Sequence, residues 1–239
     1  MKFYGLSDIG LSRPTNQDVW IAEPDLGFFA LADGIGGRKG GELAAQQTIA
    51  SLSTSIRRLA ERSNYFQNAI DLSQNLRSAI EYANASVHNL GKQAEHTMGM
   101  GSTLCCLLWT QEQIYYAHVG DSRIYRFRDN QLALLTRDHS LLERWMARKE
   151  KNLPSPPKNI ITRAMGMSGR ANPEISCCPM LRGDLFLLCS DGLSDAVRIE
   201  ELEEMIRTNQ SLEEIAQTMI HSAKNMGSND NITVLMVRL

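Results

Sequence analysis

Short apolar runs and long stretches of helical periodicity alternate along the chain. The runs MKFYGLSDIG, DVWIAE and GFFALAD are separated by Pro, Asn and Gly, and they predict three strands near the amino terminus. From Gly41 to about Glu95, apolar residues recur at helical spacing instead. That stretch predicts two long helices with a break near Ser63-Asn64.

The second half of the chain returns to strands. The runs GMGSTLCCLLWT, QIYYAHVGD, SRIYRFRD and QLALLT predict an antiparallel meander, and EISCCPM and DLFLLCSD predict two further strands. Two helices follow, IEELEEMIRT and SLEEIAQTMIHSAKNMG, the second opened by a capping box of Ser211 and Glu214, and NITVLMVRL predicts a last strand. This order predicts an α+β fold: an α-β-β-α sandwich of two antiparallel sheets flanked by pairs of helices, as one domain over residues 1–239.

One segment does not fit the strand pattern. Residues 138–158 are charged and partly helical in SLLERWMARKEK and then rich in proline in LPSPPK. Such composition predicts an excursion from the sheets, which we call the flap. We expect the flap to select protein substrates through Arg144, Arg148 and Lys149 rather than to perform chemistry.

Composition narrows the class of protein. The chain has 239 residues, 43% of them hydrophobic, and a net charge of −2, which argues against a dedicated nucleic-acid binder. Its five cysteines include no C-x-x-C pair, so we expect small buried hydrophobic residues in a reducing compartment, not disulfides or a zinc site. There is no uncharged stretch of ~18 apolar residues. We therefore expect a cytoplasmic protein without a membrane association.

Aspartates recur at the ends of the apolar runs. Asp33 closes FFALADG, Asp121 follows IYYAHVG, Asp191 closes DLFLLCSDG, and Asp230 opens NDNITVLMV. Each alone is compatible with ordinary turn chemistry. However, neither Asp-Gly step is followed at once by the second strand that a tight hairpin needs. Carboxylates at strand ends are the ligands that hard divalent cations prefer, so together the aspartates predict a metal enzyme.

Eight segments, taken in order, resemble the motifs of a known family. They are SDIGLSRPTNQDVW, ALADGIGG, GMGSTLCCLL, AHVGDSRIYRF, LTRDHS, ITRAMG, LLCSDGLSDAV and SNDNITVLMV. This pattern resembles the metal-dependent serine/threonine protein phosphatases, the type 2C-like or PPM family, in its bacterial form with only a catalytic domain. The resemblance implies hydrolysis of phosphoserine and phosphothreonine on proteins, opposition to a Ser/Thr kinase, and a monomer.

The resemblance also implies site residues and cofactors. Two Mn²⁺ or Mg²⁺ ions would hold a hydroxide between them. Asp33 would bridge both ions, Asp191 and Asp230 would complete one site, and the backbone carbonyl of Gly34 would bind the other ion. Asp18 would support the cluster directly or through water. Arg13 would bind the phosphoryl group, and its planar guanidinium suits two oxygens at once.

Two departures from the family pattern concern charge and proton donation. Gln17 stands where many members have Glu, which removes a charge near one metal. Residues 36–38 read Gly-Gly-Arg where many bacterial members read Gly-Gly-His, so the histidine proposed as general acid is absent there. His139 is the nearest candidate in sequence. It is either a proton donor or a structural residue, and water is the alternative donor.

Asp121 and Arg123 lie together in the segment AHVGDSRIYRF, and we interpret them separately. Asp121, in GDSR, is either a ligand of a third, weaker metal site shared with Asp191 or a hairpin corner. Arg123 we expect to be structural, paired with a carboxylate near the end of its strand.

Two alternative functions stay open on the sequence. A catalytically weakened member that binds phosphoproteins is favoured by Gln17 and opposed by the intact metal-binding aspartates. A metal-dependent phosphodiesterase or nuclease would use similar carboxylates, but a basic groove signature is missing.

Overall fold

A computed structural model of the protein describes residues 1–35, 40–61, 69–110, 112–148, 154–167, 169–208 and 210–239. The strands in these ranges are β1 (Lys2–Asp8), β2 (Asp18–Glu23), β3 (Phe28–Ile35), β4 (Gly101–Ser102), β5 (Leu104–Trp109), β6 (Gln113–Val119), β7 (Arg123–Arg128), β8 (Gln131–Leu134), β9 (Glu174–Pro179), β10 (Leu185–Cys189) and β11 (Ile232–Arg238). They form two antiparallel sheets. One has the order β1-β11-β10-β7-β8, and the other the order β2-β3-β5-β6-β9 with β4 paired to β3.

Helices lie on the outer face of each sheet. Their bounds are α1 (Gly40–Ala60), α2 (Ala69–Gly91), α3 (Leu141–Ala147), α4 (Asp191–Ser194), α5 (Ile199–Ile206) and α6 (Leu212–Asn225). Apolar residues of α1 and α2 share one core with the β2-containing sheet, and those of α5 and α6 share another with the β1-containing sheet. The predicted capping box at the start of α6 is present, with Ser211 Oγ accepting from the Glu214 backbone N–H. The predicted break near Ser63-Asn64 lies outside the described residues.

The central strands are apolar throughout because both of their faces are covered. In β3, Phe28 and Ala30 pack toward α1 and α2, whereas Phe29 and Leu31 pack between the two sheets. Strands that alternate in this way bury every side chain and read as continuous apolar runs. The predicted α-β-β-α sandwich is thereby confirmed.

The predicted meander is wrong. β5 and β6 pair within one sheet and β7 and β8 within the other, so the chain crosses between sheets after β6. Gly120 makes the crossing with a φ of 105°, and a Cβ there would lie 2.7 Å from Thr103 Cγ2. Runs buried on both faces look alike in either sheet, so the apolar pattern did not mark this crossing.

The cysteine prediction is only partly right. All five thiols are free, and Cys105, Cys106 and Cys189 are buried. Cys177 is exposed and Cys178 half-buried, because β9 is an edge strand. Among the helices that the structure describes, none is both long and apolar enough to cross a bilayer.

Near the start of the flap is the helix α3, whose N-cap is Ser140, and the Ser140 side chain accepts from the Glu143 backbone N–H. A bridge between Ser140 and Ile161 joins the start of the flap to the residues that follow it, supported by a hydrogen bond of 2.8 Å from the Leu141 N–H to the Ile160 carbonyl. Lys149, which we expected to contact substrates, lies outside the described residues. The role of the flap stays a prediction.

Candidate active site

Both sheets deliver their acidic residues to one place. Asp18 and Asp33 lie opposite each other on the neighbouring strands β2 and β3. From the other sheet, Asp191 is the first residue of α4, directly after β10, and Asp230 lies just before β11. The charges of Asp18, Asp191 and Asp230 all act on Asp33, and so does that of Asp121. The structure therefore brings together all five of the predicted aspartates.

Asp18 links the two sheets through hydrogen bonds. Its Oδ2 accepts from Ser190 Oγ at 2.8 Å and from Thr233 Oγ1 at 2.7 Å, and both hydroxyls belong to the opposite sheet. Its Oδ1 is buried and has no hydrogen-bond partner among the described residues. Asp18 is thus held rigidly by one oxygen and leaves the other available.

The electrostatics of the cluster are unfavourable without a cation. Burial, followed by the charge of Asp18, raises the pKa of Asp33 well above its usual range. Burial likewise raises the pKa of Asp191, and it raises that of Asp121 to about 6. The Oδ1 atoms of Asp121 and Asp191 are also buried without partners in the described structure. Buried carboxylates with unused oxygens repel one another, and a divalent ion that accepts oxygen ligands fits them.

Gly34 lies where the backbone of β3 meets the start of α1. A Cβ at this position would collide with the carbonyl oxygen of Gly41, and the Gly34 N–H donates to the Gln17 carbonyl at 3.2 Å. The close approach of two backbones requires glycine here. The expectation that the Gly34 carbonyl binds an ion stays a prediction.

Arg13 sits at the mouth of a cavity of about 360 Å³ that Asp191 and Asp230 also line. Its Nη2 forms an ion pair with Asp230 Oδ2 at 2.6 Å, and about half of its side chain (52%) is exposed. The hydrogen bond with Asp230 raises the pKa of the guanidinium further. Arg13 therefore faces the carboxylate cluster, with part of its surface open to a ligand.

Asn231 is a site residue that the sequence reasoning missed. Its Oδ1 accepts from the Gln17 N–H at 2.9 Å, while its Nδ2 donates to the carbonyls of Ile9 and Thr15 at 2.9 and 3.0 Å. These bonds hold the loop that carries Arg13. The signal was an asparagine directly after Asp230, an aspartate predicted to bind metal, because the amide can accept and donate at once.

His139 lies outside the carboxylate cluster. Its ring stacks on His118 with centroids 4.5 Å apart, its Nδ1 accepts from the Gly120 N–H at 3.1 Å, and its Nε2 faces Glu174 Oε1 at 3.1 Å. A neutral ring whose Nδ1 accepts carries its proton on Nε2 and donates it to Glu174. Burial lowers the pKa of His139 to about 4. These contacts favour the structural interpretation of His139, although the ligand atoms of His118, His139 and Glu174 lie within 4.8 Å of one another and form a group that could itself hold a metal ion.

Asp121 and Arg123 flank the crossing between the sheets. Because β6 and β7 belong to different sheets, the interpretation of Asp121 as a hairpin corner is wrong. Arg123 donates from Nε and Nη2 to the two oxygens of Asp138 at 2.9 and 2.7 Å. The predicted structural role of Arg123 is confirmed. The segment Gly36 to Arg38, where a histidine is absent, lies outside the described residues.

Similarity to known proteins extends over nearly the whole chain. A family model described as protein phosphatase 2C matches residues 13–235. The serine/threonine phosphatase stp of Listeria monocytogenes is 32% identical over 238 residues, which cover 97% of this chain and 93% of that protein. A serine/threonine phosphatase of S. agalactiae superposes with a TM-score of 0.87 at 31% identity, covering 100% and 99% of the two chains. The catalytic domain of the phosphatase PstP, in complex with two manganese ions, has a TM-score of 0.83 at 31% identity, covering 98% and 96%.

The like charges of the cluster lead to a prediction about stability. A carboxyl group whose pKa is raised by folding holds its proton more tightly in the folded state, so its stabilising effect is lost as the pH rises through that pKa. In EDTA, we expect the melting temperature of the wild-type protein to fall between about pH 5 and pH 8. Asp33→Asn should reduce this fall and raise the melting temperature at pH 8 by a few degrees, on the order of 3–5 °C.

Thermal unfolding followed by circular dichroism measures this effect. Asp25→Asn is the matched control, because Asp25 is an exposed acid outside the cluster. Equal pH profiles for Asp33→Asn and the control would show that repulsion within the cluster is unimportant.

Proposed function

The chain belongs to the protein phosphatase 2C family and is a serine/threonine phosphatase; we propose that it hydrolyses phosphoserine and phosphothreonine monoesters on proteins with the aid of two divalent metal ions. The observation that carries this proposal is the cluster of buried carboxylates with unpartnered oxygens on Asp18, Asp121 and Asp191. When bound, a pair of Mn²⁺ or Mg²⁺ ions supplies charge neutralisation for the phosphoryl oxygens and a water-derived nucleophile at neutral pH.

We assign the ligands from the positions of these side chains. Asp33 would be shared by both ions, because the charges of Asp18, Asp121, Asp191 and Asp230 all act on it. Asp191 and Asp230 would hold one ion, and the Gly34 carbonyl would hold the other. Asp18 supports the cluster with the Oδ1 that its hydroxyl partners leave free. The manganese-bound PstP structure supports this number of ions for a similar fold.

Arg13 binds the phosphoryl group of the substrate in this proposal. Its guanidinium lies beside Asp230 at the cavity mouth, where two of its N–H groups can reach neighbouring oxygens of one phosphoryl group. Asp230 would share its charge between a bound cation and Arg13, and the exposed half of the Arg13 side chain would contact the substrate. The leaving group would take its proton from water, since His139 lies outside the carboxylate cluster and its Nε2 is already in contact with Glu174 and Arg163.

The remaining parts of the proposal concern the cellular setting. We propose that the enzyme acts as a monomer in the cytoplasm, opposing a Ser/Thr kinase that phosphorylates the same proteins. The free thiols support a reducing compartment.

The first test is metal dependence. Release of phosphate from phosphothreonine peptides should require Mn²⁺ or Mg²⁺ and cease in excess EDTA, and Asp33→Asn should be the most damaging single change, since only a shared ligand affects both ions. Hydrolysis of p-nitrophenyl phosphate but not of bis(p-nitrophenyl) phosphate would separate a monoesterase from a phosphodiesterase. Full turnover in EDTA would refute the two-metal proposal.

The second test addresses Arg13. Arg13→Ala should raise KM and lower kcat/KM, because charge-assisted hydrogen bonds to the phosphoryl group are lost. The fall in kcat/KM should correspond to a loss of about 2–3 kcal/mol of transition-state stabilisation. Arg13→Lys should recover only part of the loss, since an ammonium group cannot pair with two oxygens in a planar geometry. Arg58→Ala, an exposed arginine on α1, is the control. Kinetics of Arg13→Ala equal to those of the control would place Arg13 outside the site.

The third test addresses Asp121. If it holds a third ion together with Asp191, that ion has few protein ligands and binds weakly. Asp121→Ala should then remove the weakest of the Mn²⁺ binding steps in a calorimetric titration and reduce turnover, while the melting temperature in EDTA does not fall. A lower melting temperature with unchanged turnover per folded molecule would mean that Asp121 serves only the turn between β6 and β7.

A further inference from the structure

A second cavity, of about 320 Å³, is lined by α3 of the flap and by Thr162 and Arg163, which follow the flap in sequence. Its charged lining residues include Arg137, Asp138, Glu143, Arg144, Arg148 and Arg163. Arginine is therefore the dominant residue of its wall. We call it the arginine cavity.

The acidic residues of the arginine cavity are already neutralised. The N···O ion pairs are Asp138 with Arg123 at 2.7 Å, Glu143 with Arg137 at 2.7 Å, and Glu174 with Arg163 at 3.2 Å. Each acid in the wall thus has one arginine partner. The charge that is left over in the cavity comes from arginines alone.

Arg144 and Arg148 carry this surplus charge. Arg144 lies in the last turn of α3 and Arg148 is its C-cap; both are exposed, and within the described part of the chain neither has an ion-pair partner. Because both line the same cavity, their like charges repel each other, and an anion between them removes the repulsion. Two guanidinium groups can also supply several N–H donors to one carboxylate or phosphoryl group.

The arginine cavity is close to the candidate active site along the chain. Asn159 lines the cavity that contains Arg13, whereas Thr162 and Arg163 line the arginine cavity. Four residues span at most about 14 Å of extended chain. A bound peptide with ~3.3 Å per residue would cover this distance in about four residues.

We propose that the arginine cavity is a substrate subsite that binds an anionic side chain, phosphoryl or carboxylate, lying within about four residues of the phosphoresidue that is hydrolysed. This inference rests on the proposed phosphatase function and adds a preference for acidic or multiply phosphorylated sequences. It places the selection of substrates in Arg144 and Arg148, away from the carboxylates that carry the chemistry.

The experiment compares matched phosphothreonine peptides. One peptide has only neutral neighbours, a second has Glu and a third has a second phosphothreonine, placed three or four residues before or after the hydrolysed residue. For the wild type we expect kcat/KM to be higher for the anionic peptides by about fivefold or more. In Arg144→Ala/Arg148→Ala, the ratio of kcat/KM for an anionic peptide to kcat/KM for the neutral peptide should fall toward one.

Matched variants separate this effect from general loss of positive charge. Arg58→Ala/Arg182→Ala removes the same charge from exposed positions elsewhere and should retain the wild-type ratio. Arg144→Lys/Arg148→Lys should retain part of the preference. A larger gain from the second phosphothreonine identifies a phosphoryl group as the ligand, and equal gains identify acidic sequences in general. A ratio near one in the wild type, or a ratio unchanged in Arg144→Ala/Arg148→Ala, would overturn the inference.

The two proposals can fail separately. If no phosphopeptide is hydrolysed with metal present, the proposed function fails, whereas equal hydrolysis of all peptides refutes only the subsite. Binding of a fluorescent, doubly phosphorylated peptide to Asp33→Asn gives a readout that needs no turnover. We expect Kd to rise about tenfold when Arg144→Ala and Arg148→Ala are added, and an unchanged Kd would contradict the subsite.

Discussion

The candidate active site depends on keeping several carboxylates close together against their mutual repulsion. The burial of Asp33 and the charges of its neighbours all oppose its ionised form. A flexible scaffold would separate such groups, so their proximity requires rigid elements. The sandwich meets this need because the two sheets interlock through fully buried side chains such as Phe29 and Phe186. At the site itself, Asp18 connects the two sheets, because its carboxylate accepts hydrogen bonds from the hydroxyls of Ser190 and Thr233.

The same constraint shapes the backbone around the acids. At Gly34 and Gly41, the end of β3 and the start of α1 approach so closely that a side chain would not fit. Asn231 fixes the loop before β2 from the opposite sheet. The strand ends that carry Asp33 and Asp18 are thus held by contacts from other elements. The position of Arg13 follows from this network, because the loop that Asn231 binds also carries the guanidinium to the cavity mouth.

Much of this arrangement could be predicted from the sequence. The features that could not be predicted depend on topology and on contacts between distant residues. Continuous apolar runs such as β3 showed strands covered on both faces, and the aspartates at their ends showed where polar groups concentrate. The apolar pattern did not show that the chain changes sheets at Gly120, because a run buried on both faces has the same composition in either sheet. The exposure of Cys177 depends on the edge position of β9, which is a property of topology. Asn231 and the arginine cavity arise from contacts between residues distant in sequence.

The separation of chemistry from substrate selection follows from the energetics of the two regions. In the carboxylate cluster, removing or adding one charge changes the electrostatic energy of every neighbouring carboxylate, because the groups are buried and close together. Cations that bind only the folded state then contribute to its stability by mass action, so folding and metal binding are linked. The arginine cavity is different, since the ion pairs Arg137–Glu143 and Arg163–Glu174 are partly exposed and contribute little to stability. Under the proposed function, substitutions at Arg144 and Arg148 would therefore change the choice of substrate and leave the carboxylate cluster intact.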